Sequence, residues 1–241
     1  MALVTLDNGQ SSAAVAGLTA VYIAELSKQY LPGAPDAVVN SQLTLTLRDF
    51  YIKTMGWRAN LGPIAVNAGS DSVLLNPVNQ NAEVAFVLSA WLFPLNGSNS
   101  PTPLHPKNVK VIGTDVATPS TWFMQDPNTM ILYPVPDKSY GNILYAHVAL
   151  KPTPNVAALP DIAFAHHLDA IIDGLLARML AMPNKPWTDK EEAVSRKKNY
   201  EREKLIWRDF AARSYGPAPV ETRVPSFAGR GNQLFNYPAG G

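Results

Sequence analysis

Lys53-Thr54-Met55-Gly56-Trp57-Arg58-Ala59-Asn60-Leu61-Gly62-Pro63-Ile64-Ala65-Val66-Asn67 is the stretch where this 241-residue chain changes character. Before it, apolar residues recur at three- and four-residue spacing. After it, short β-branched runs alternate with turn clusters. Residues 59–150 hold ten prolines and only eight charged side chains, which reads as an antiparallel sheet domain. The spacing predicts strands at Pro63 to Asn67, Val73 to Leu75, Ala82 to Phe93, Thr121 to Gln125, Met130 to Tyr133 and Ile143 to Leu150. Asp126-Pro127-Asn128 and Asp137-Lys138-Ser139-Tyr140-Gly141 are turn sequences: the aspartates and asparagine bond the local backbone, proline presets φ and glycine accepts positive φ.

Upstream, Val15, Leu18, Tyr22, Leu26 and Tyr30 mark one helical face after a Ser11-Ser12 pair suited to capping. Leu31-Pro32-Gly33 ends that helix, and Pro35-Asp36 suits the first turn of a second. Within the second segment Leu43-Thr44-Leu45-Thr46-Leu47 alternates as a strand would, while Val39, Leu43, Leu47, Phe50 and Thr54 share a helical face. The length of the segment favours a helix of about five turns.

Downstream, a helix is expected after Leu159-Pro160-Asp161, with Asp161 as its cap. Its stripe is Ala165, Leu168, Ile172, Leu175, Leu176 and Met179, and it breaks between Pro183 and Pro186. Thr188 and Glu191 have capping-box spacing, so a last helix is expected from Thr188-Asp189 to about Arg213, with Tyr200, Glu203, Trp207 and Phe210 along one side. Residues 214–241, rich in proline and glycine, read as an extended arm. The expected architecture is α+β: N-terminal helices (1–58), an inserted antiparallel β-sandwich or barrel (59–150), C-terminal helices (151–213) that pack with the first pair as a bundle, and the arm (214–241).

Composition narrows the chemistry. The chain has no cysteine, which removes disulfides, thiol nucleophiles and cysteine-ligated zinc, and suits assembly in a reducing cytoplasm. Its start lacks a basic-then-apolar leader, and no run approaches the ~18 apolar residues of a membrane span. A formal net charge of +1 provides no global field for nucleic acid. His105, His147, His166 and His167 include no pair at i, i+4; His166 and His167 point about 100° apart on a helix, so they read as surface residues making ordinary polar contacts, and no metal or cofactor is expected. Asp169 and Asp173 share a face with a histidine, without completing a ligand set. No nucleophile elbow, phosphate loop or His-Glu-x-x-His helix occurs, and Gly229-Arg230-Gly231 precedes no amphipathic helix. The paired acids Glu191-Glu192 and Glu201/Glu203 read as a solvated helix face.

The strongest local charge signal is residues 185–213, with nine Lys or Arg against six acids. Within it Arg196, Lys197, Lys198 and Arg202 are candidates for contact with a neighbouring subunit or with DNA in a channel. In the arm, Tyr215, Phe227, Phe235 and Tyr237 are anchors suited to a partner's pockets, and Arg223 and Arg230 suit partner carboxylates.

Three stretches carry a resemblance: Leu132-Tyr133-Pro134-Val135-Pro136-Asp137 leading to Val148-Ala149-Leu150-Lys151-Pro152-Thr153; Leu159-Pro160-Asp161 followed by Ala170 through Leu180-Ala181-Met182-Pro183-Asn184-Lys185-Pro186-Trp187; and Leu31-Pro32-Gly33-Ala34-Pro35-Asp36. Together they are similar to the head-to-tail adaptor, or connector, family of tailed bacteriophages, the group that includes podovirus tail tubular protein A. Residues 96–118 depart from the family pattern. The resemblance implies a structural virion protein, not an enzyme. It would form a ring, commonly of twelve copies, between the portal protein and the tail nozzle or next tail protein, through which genomic DNA passes without sequence-specific binding. It also favours helix for Leu43 to Leu47. A head-completion or stopper ring protein is the alternative within that class. A carbohydrate-binding tail module, with Trp91, Trp122 and Phe123 exposed on one sheet face, is the alternative outside it.

Overall fold

The computed structural model describes residues 20–93, 101–107, 115–155, 159 and 166–213. Among the described residues two helices, α1 (Ala20–Lys28) and α2 (Asp36–Thr54), precede nine strands, and α3 (Leu168–Leu180) and α4 (Lys190–Ala212) follow them. The strands are β1 (Arg58–Val66), β2 (Ser72–Leu74), β3 (Ala82–Leu92), β4 (Thr102–Pro106), β5 (Val116–Ala117), β6 (Thr121–Asp126), β7 (Thr129–Tyr133), β8 (Val135–Pro136) and β9 (Gly141–Pro152). The Ser11-Ser12 cap, Asp161, Ala165 and the arm lie outside the described residues.

The alternating Leu43 to Leu47 run is helical. Leu43, Thr46, Leu47, Phe50, Tyr51 and Thr54 are buried, which is a 3.6-residue period, while Leu45 faces out. Threonine is accommodated because its hydroxyl finds a carbonyl one turn back: Thr44 donates to Asn40 O, Thr46 to Gln42 O and Thr54 to Phe50 O. Pro35 precedes the first turn, and Met55 closes the helix in the left-handed region at φ 51°.

Seven strands form one sheet in the order β1-β9-β3-β4-β6-β7-β2, and its end strands β1 and β2 come back into contact. The result is a nearly closed barrel, with β5 and β8 as a separate pair. The sheet is mixed, which corrects the expectation of an antiparallel one: β4 runs parallel to β6, and β5 to β8. Because β4 and β6 are not joined as a hairpin but lie on either side of β5 in sequence, β6 can pair with β4 in the same sense. β1 starts at Arg58, ahead of the expected Pro63, and passes β9 so closely at Gly62 that a Cβ there would stand 2.8 Å from Leu144 O. Gly62 also has φ +138°, open to glycine alone at low cost. Strands β4, β5 and β8 are absent from the sequence reading because each is short or contains proline.

Helices and barrel share one hydrophobic core: Leu43, Leu47 and Phe50 of α2 join the same cluster as Leu144, Val148 and Leu150 of β9. Arg48 clasps the joint, donating to Pro152 O at 2.7 Å and to Glu83 at 3.3 Å, with Lys151 3.6 Å from the same carboxylate.

Candidate assembly interface

Helix α4 is the longest of the described elements, and its two sides do different work. The chain enters it at Asp189, whose carboxylate accepts from the Glu191 and Glu192 amides. This corrects the expected Thr188 cap. Thr188 is engaged in the preceding turn, donating to Met182 O and accepting from Lys185 N. The aspartate sits where first-turn amides lack partners, next to the positive end of the helix dipole.

The inner side of α4 carries a buried polar network. Tyr200 donates to Thr46 O at 3.1 Å and lies 2.9 Å from Asp49; Lys204, itself buried, reaches Asp49 at 3.0 Å and Glu201 at 2.9 Å. Burial alone would raise the Asp49 carboxyl, but hydrogen bonds from Lys204 and Tyr200 and the ammonium charge outweigh it and hold the group below the usual carboxylate range. Burial, then the neighbouring carboxylate, drives the Tyr200 phenol upward, so it stays protonated and donating. Gly174 of α3 makes the approach feasible: a Cβ there would stand 2.6 Å from the Tyr200 ring and 2.7 Å from Thr46 Cγ2. A glycine inside an apolar helical stripe was the signal for this contact.

Arg196, expected at an interface, is used within the chain. It bonds Asp173 and Glu192 at 2.7 Å each and lies 5.4 Å from the centre of the Tyr30 ring. Its (i, i+4) partner and the facing helix capture it before any neighbour can. Asp173 is thereby an ion-pair partner, and Asp169 stays exposed.

The histidines also depart from expectation. His166 is exposed, but His167 is fully buried at the start of α3, which begins at Leu168. Its ring packs 5.0 Å from Phe50, 5.8 Å from Tyr51 and 4.6 Å from Trp207. Burial, with the adjacent His166 a smaller cause, lowers its pKa to about 4. Both rings pack against Trp207, His166 at 5.7 Å and His167 at 4.6 Å between ring centres, and only His167 is enclosed in the core. His105 lies exposed on β4; His147, half-buried on β9, is lowered by burial and by Arg58. The four histidines do not converge, and no group of three or more metal-ligating side chains occurs among the described residues. Trp122 and Phe123 are buried and Trp91 half-buried, so they form no exposed aromatic platform on the barrel.

The outer side of α4 is the candidate interface. Val194, Lys198, Arg202, Leu205 and Ile206 follow one another at helical spacing and are exposed, flanked by Lys197, Arg208 and Phe210. Leu205 is 67% and Phe210 47% exposed. Lys197, Lys198 and Arg202 thus lie together on the surface, and Phe210, expected along the same side as Tyr200, stands exposed while Tyr200 is buried. Tyr215, Arg223, Phe227, Arg230, Phe235 and Tyr237 lie outside the described residues. No helix among the described residues is long and apolar enough to cross a membrane.

No protein-family model matches the chain, and no curated protein sequence matches it significantly.

Proposed function

We propose that the chain is a structural assembly subunit, a head-to-tail adaptor that forms a ring between the portal and the tail of a tailed phage. The observation that carries an assembly role is the outer face of α4, where Leu205, Ile206 and Phe210 are exposed beside Lys197, Lys198 and Arg202. A merely solvated helix face has no need of three large apolar groups within six residues, whereas a contact between subunits does. The adaptor assignment itself rests on the sequence resemblance in the Leu31, Leu132 and Leu159 stretches. In this reading the four helices act as a bundle in the ring, the barrel projects outward, and residues 214–241 are an arm that orders on docking.

The test is electron microscopy of the purified protein mixed with capsids that lack it. Rings seated at a single vertex support the adaptor reading. Binding only to capsids already carrying an adaptor ring moves the chain one position down the conduit, to a stopper. Binding to neither removes it from the head-tail junction.

A further inference from the structure

A groove of about 420 Å³ lies between the turn that joins α1 to α2 and the turn that joins α3 to α4. Both walls are fixed by the backbone. In the first turn Leu31 N donates to Lys28 O and Ala34 N to Leu31 O, with Leu31 anchored in the core and Gly33 at φ 74°. In the second, Thr188 N donates to Lys185 O and Asp189 N to Leu180 O, around Asn184 at φ 58°. Tyr30 and Pro32 form one lip and Pro186 the other, all three exposed, over a floor of buried Leu176, Leu180 and Trp187. Arg196 props the Tyr30 ring from 5.4 Å, and its charge is already met by Asp173 and Glu192 at 2.7 Å each. Two carboxylates thus face one guanidinium, and Asp189 adds a further carboxylate at the start of α4. Trp187 supplies the deciding group. It is only 7% exposed, and its indole N–H has no hydrogen-bond partner among the described residues. A buried tryptophan ordinarily finds an acceptor, and a bare donor is a cost that an incoming carbonyl removes.

We propose that this groove docks a proline-rich segment of another polypeptide, in the polyproline II conformation and flanked by a basic residue. That conformation leaves its carbonyls without internal partners, so one of them can accept from Trp187. Its proline rings suit the flat, apolar lips made by Tyr30, Pro32 and Pro186, as in other aromatic-lined grooves that read such segments. Because proline presets φ, little freedom is lost on docking. The basic flank meets the carboxylate excess of Glu192 and Asp189, which would repel an anionic ligand. An added strand is ruled out by the walls, which are helix and turn with no sheet edge. The groove shares no residue with the outer face of α4, and the inference does not rest on the adaptor reading.

The test is an NMR titration of the full-length, nitrogen-15-labelled protein with the synthetic peptide Arg-Pro-Leu-Pro-Pro-Leu-Pro. The chain has five tryptophans, and the indole resonance of Trp187 is the one that disappears in Trp187→Phe. Expected is a saturable downfield shift of that resonance as its N–H gains an acceptor. Trp187→Phe, which keeps the apolar bulk, and Tyr30→Ala, which removes an exposed ring, should each weaken binding about tenfold. Unchanged indole resonances elsewhere show that the Tyr30→Ala chain is folded, so its loss of affinity reports the groove. Exchanging the peptide's arginine for glutamate should weaken binding several-fold at low salt. A Trp187 resonance that stays in place up to about 2 mM peptide overturns the proposal. So does equal binding of a peptide whose prolines are all alanine, or parental affinity in Tyr30→Ala. A shift that follows protein concentration without peptide gives the groove to a second copy and overturns it too.

Discussion

The helical side and the barrel solve burial in opposite ways. Between α2, α3 and α4 the packing is tight and partly polar: Tyr200, Lys204 and Asp49 meet over Gly174, and His167 is enclosed by Phe50, Tyr51 and Trp207. In the barrel the core is largely apolar; the bond from Tyr133 to Asp115 lies at the exposed surface, and Tyr140, packed in the core, directs its hydroxyl to Asp137. Asp49, Tyr200 and Lys204 partner one another out of water, which fixes their arrangement, while His167 Nε2 and Trp207 Nε1 are buried with no hydrogen-bond partner among the described residues; exposed rim contacts exchange readily with water. A region of strict geometry suits a rigid frame.

That contrast breaks most readily at Gly174. Gly174→Val drives a branched side chain into the Tyr200 ring and Thr46, and a loss of about 3 kcal/mol in urea unfolding is expected from overpacking. An unchanged midpoint would mean that the helices separate at no cost, and the strict frame would be lost as an idea.

The next effect is on pH. The folded state holds His167 neutral down to about pH 4, while the unfolded chain takes up that proton near 6.5, so between these values the unfolded state binds more protons and stability falls as pH falls. The contribution lost between pH 7 and pH 4 is about 3 kcal/mol at most, and it ceases to grow below the folded pKa. His167→Phe should flatten that part of the stability profile. A variant profile that parallels the parent would assign the acid sensitivity to other groups.

Tyr133→Phe samples the barrel rim. Its hydroxyl meets Asp115 at the exposed surface, which holds the phenol above its ordinary pKa, and removal should leave the urea midpoint within the error of the measurement. A loss comparable to that at Gly174 would erase the difference between the regions. Smallest of all, truncation after Arg213 should leave the melting temperature nearly unchanged while abolishing attachment to capsids. Calorimetry and a capsid-binding assay read the two halves of that expectation separately.

Much of the helical pattern was legible because it is local. Val39, Leu43, Leu47, Phe50 and Thr54 lie on one face by spacing alone, and all five are buried. The long strands β3 and β9 were legible for the same reason, being uninterrupted runs between turn residues. His167 was not: the sequence shows two adjacent histidines that diverge, and only the meeting of α2, α3 and α4 decides which one is enclosed. The ion pair of Arg196 was not legible either, since its partner Asp173 sits 23 residues away on another helix. The sequence by itself determined the order of helices and sheet, the absence of thiol chemistry and the positions of the long elements, because periodicity and composition act over a few residues. The tertiary structure alone decided the parallel entry of β6 and the identity of the buried titratable groups, because each depends on which distant segments become neighbours and exclude water together.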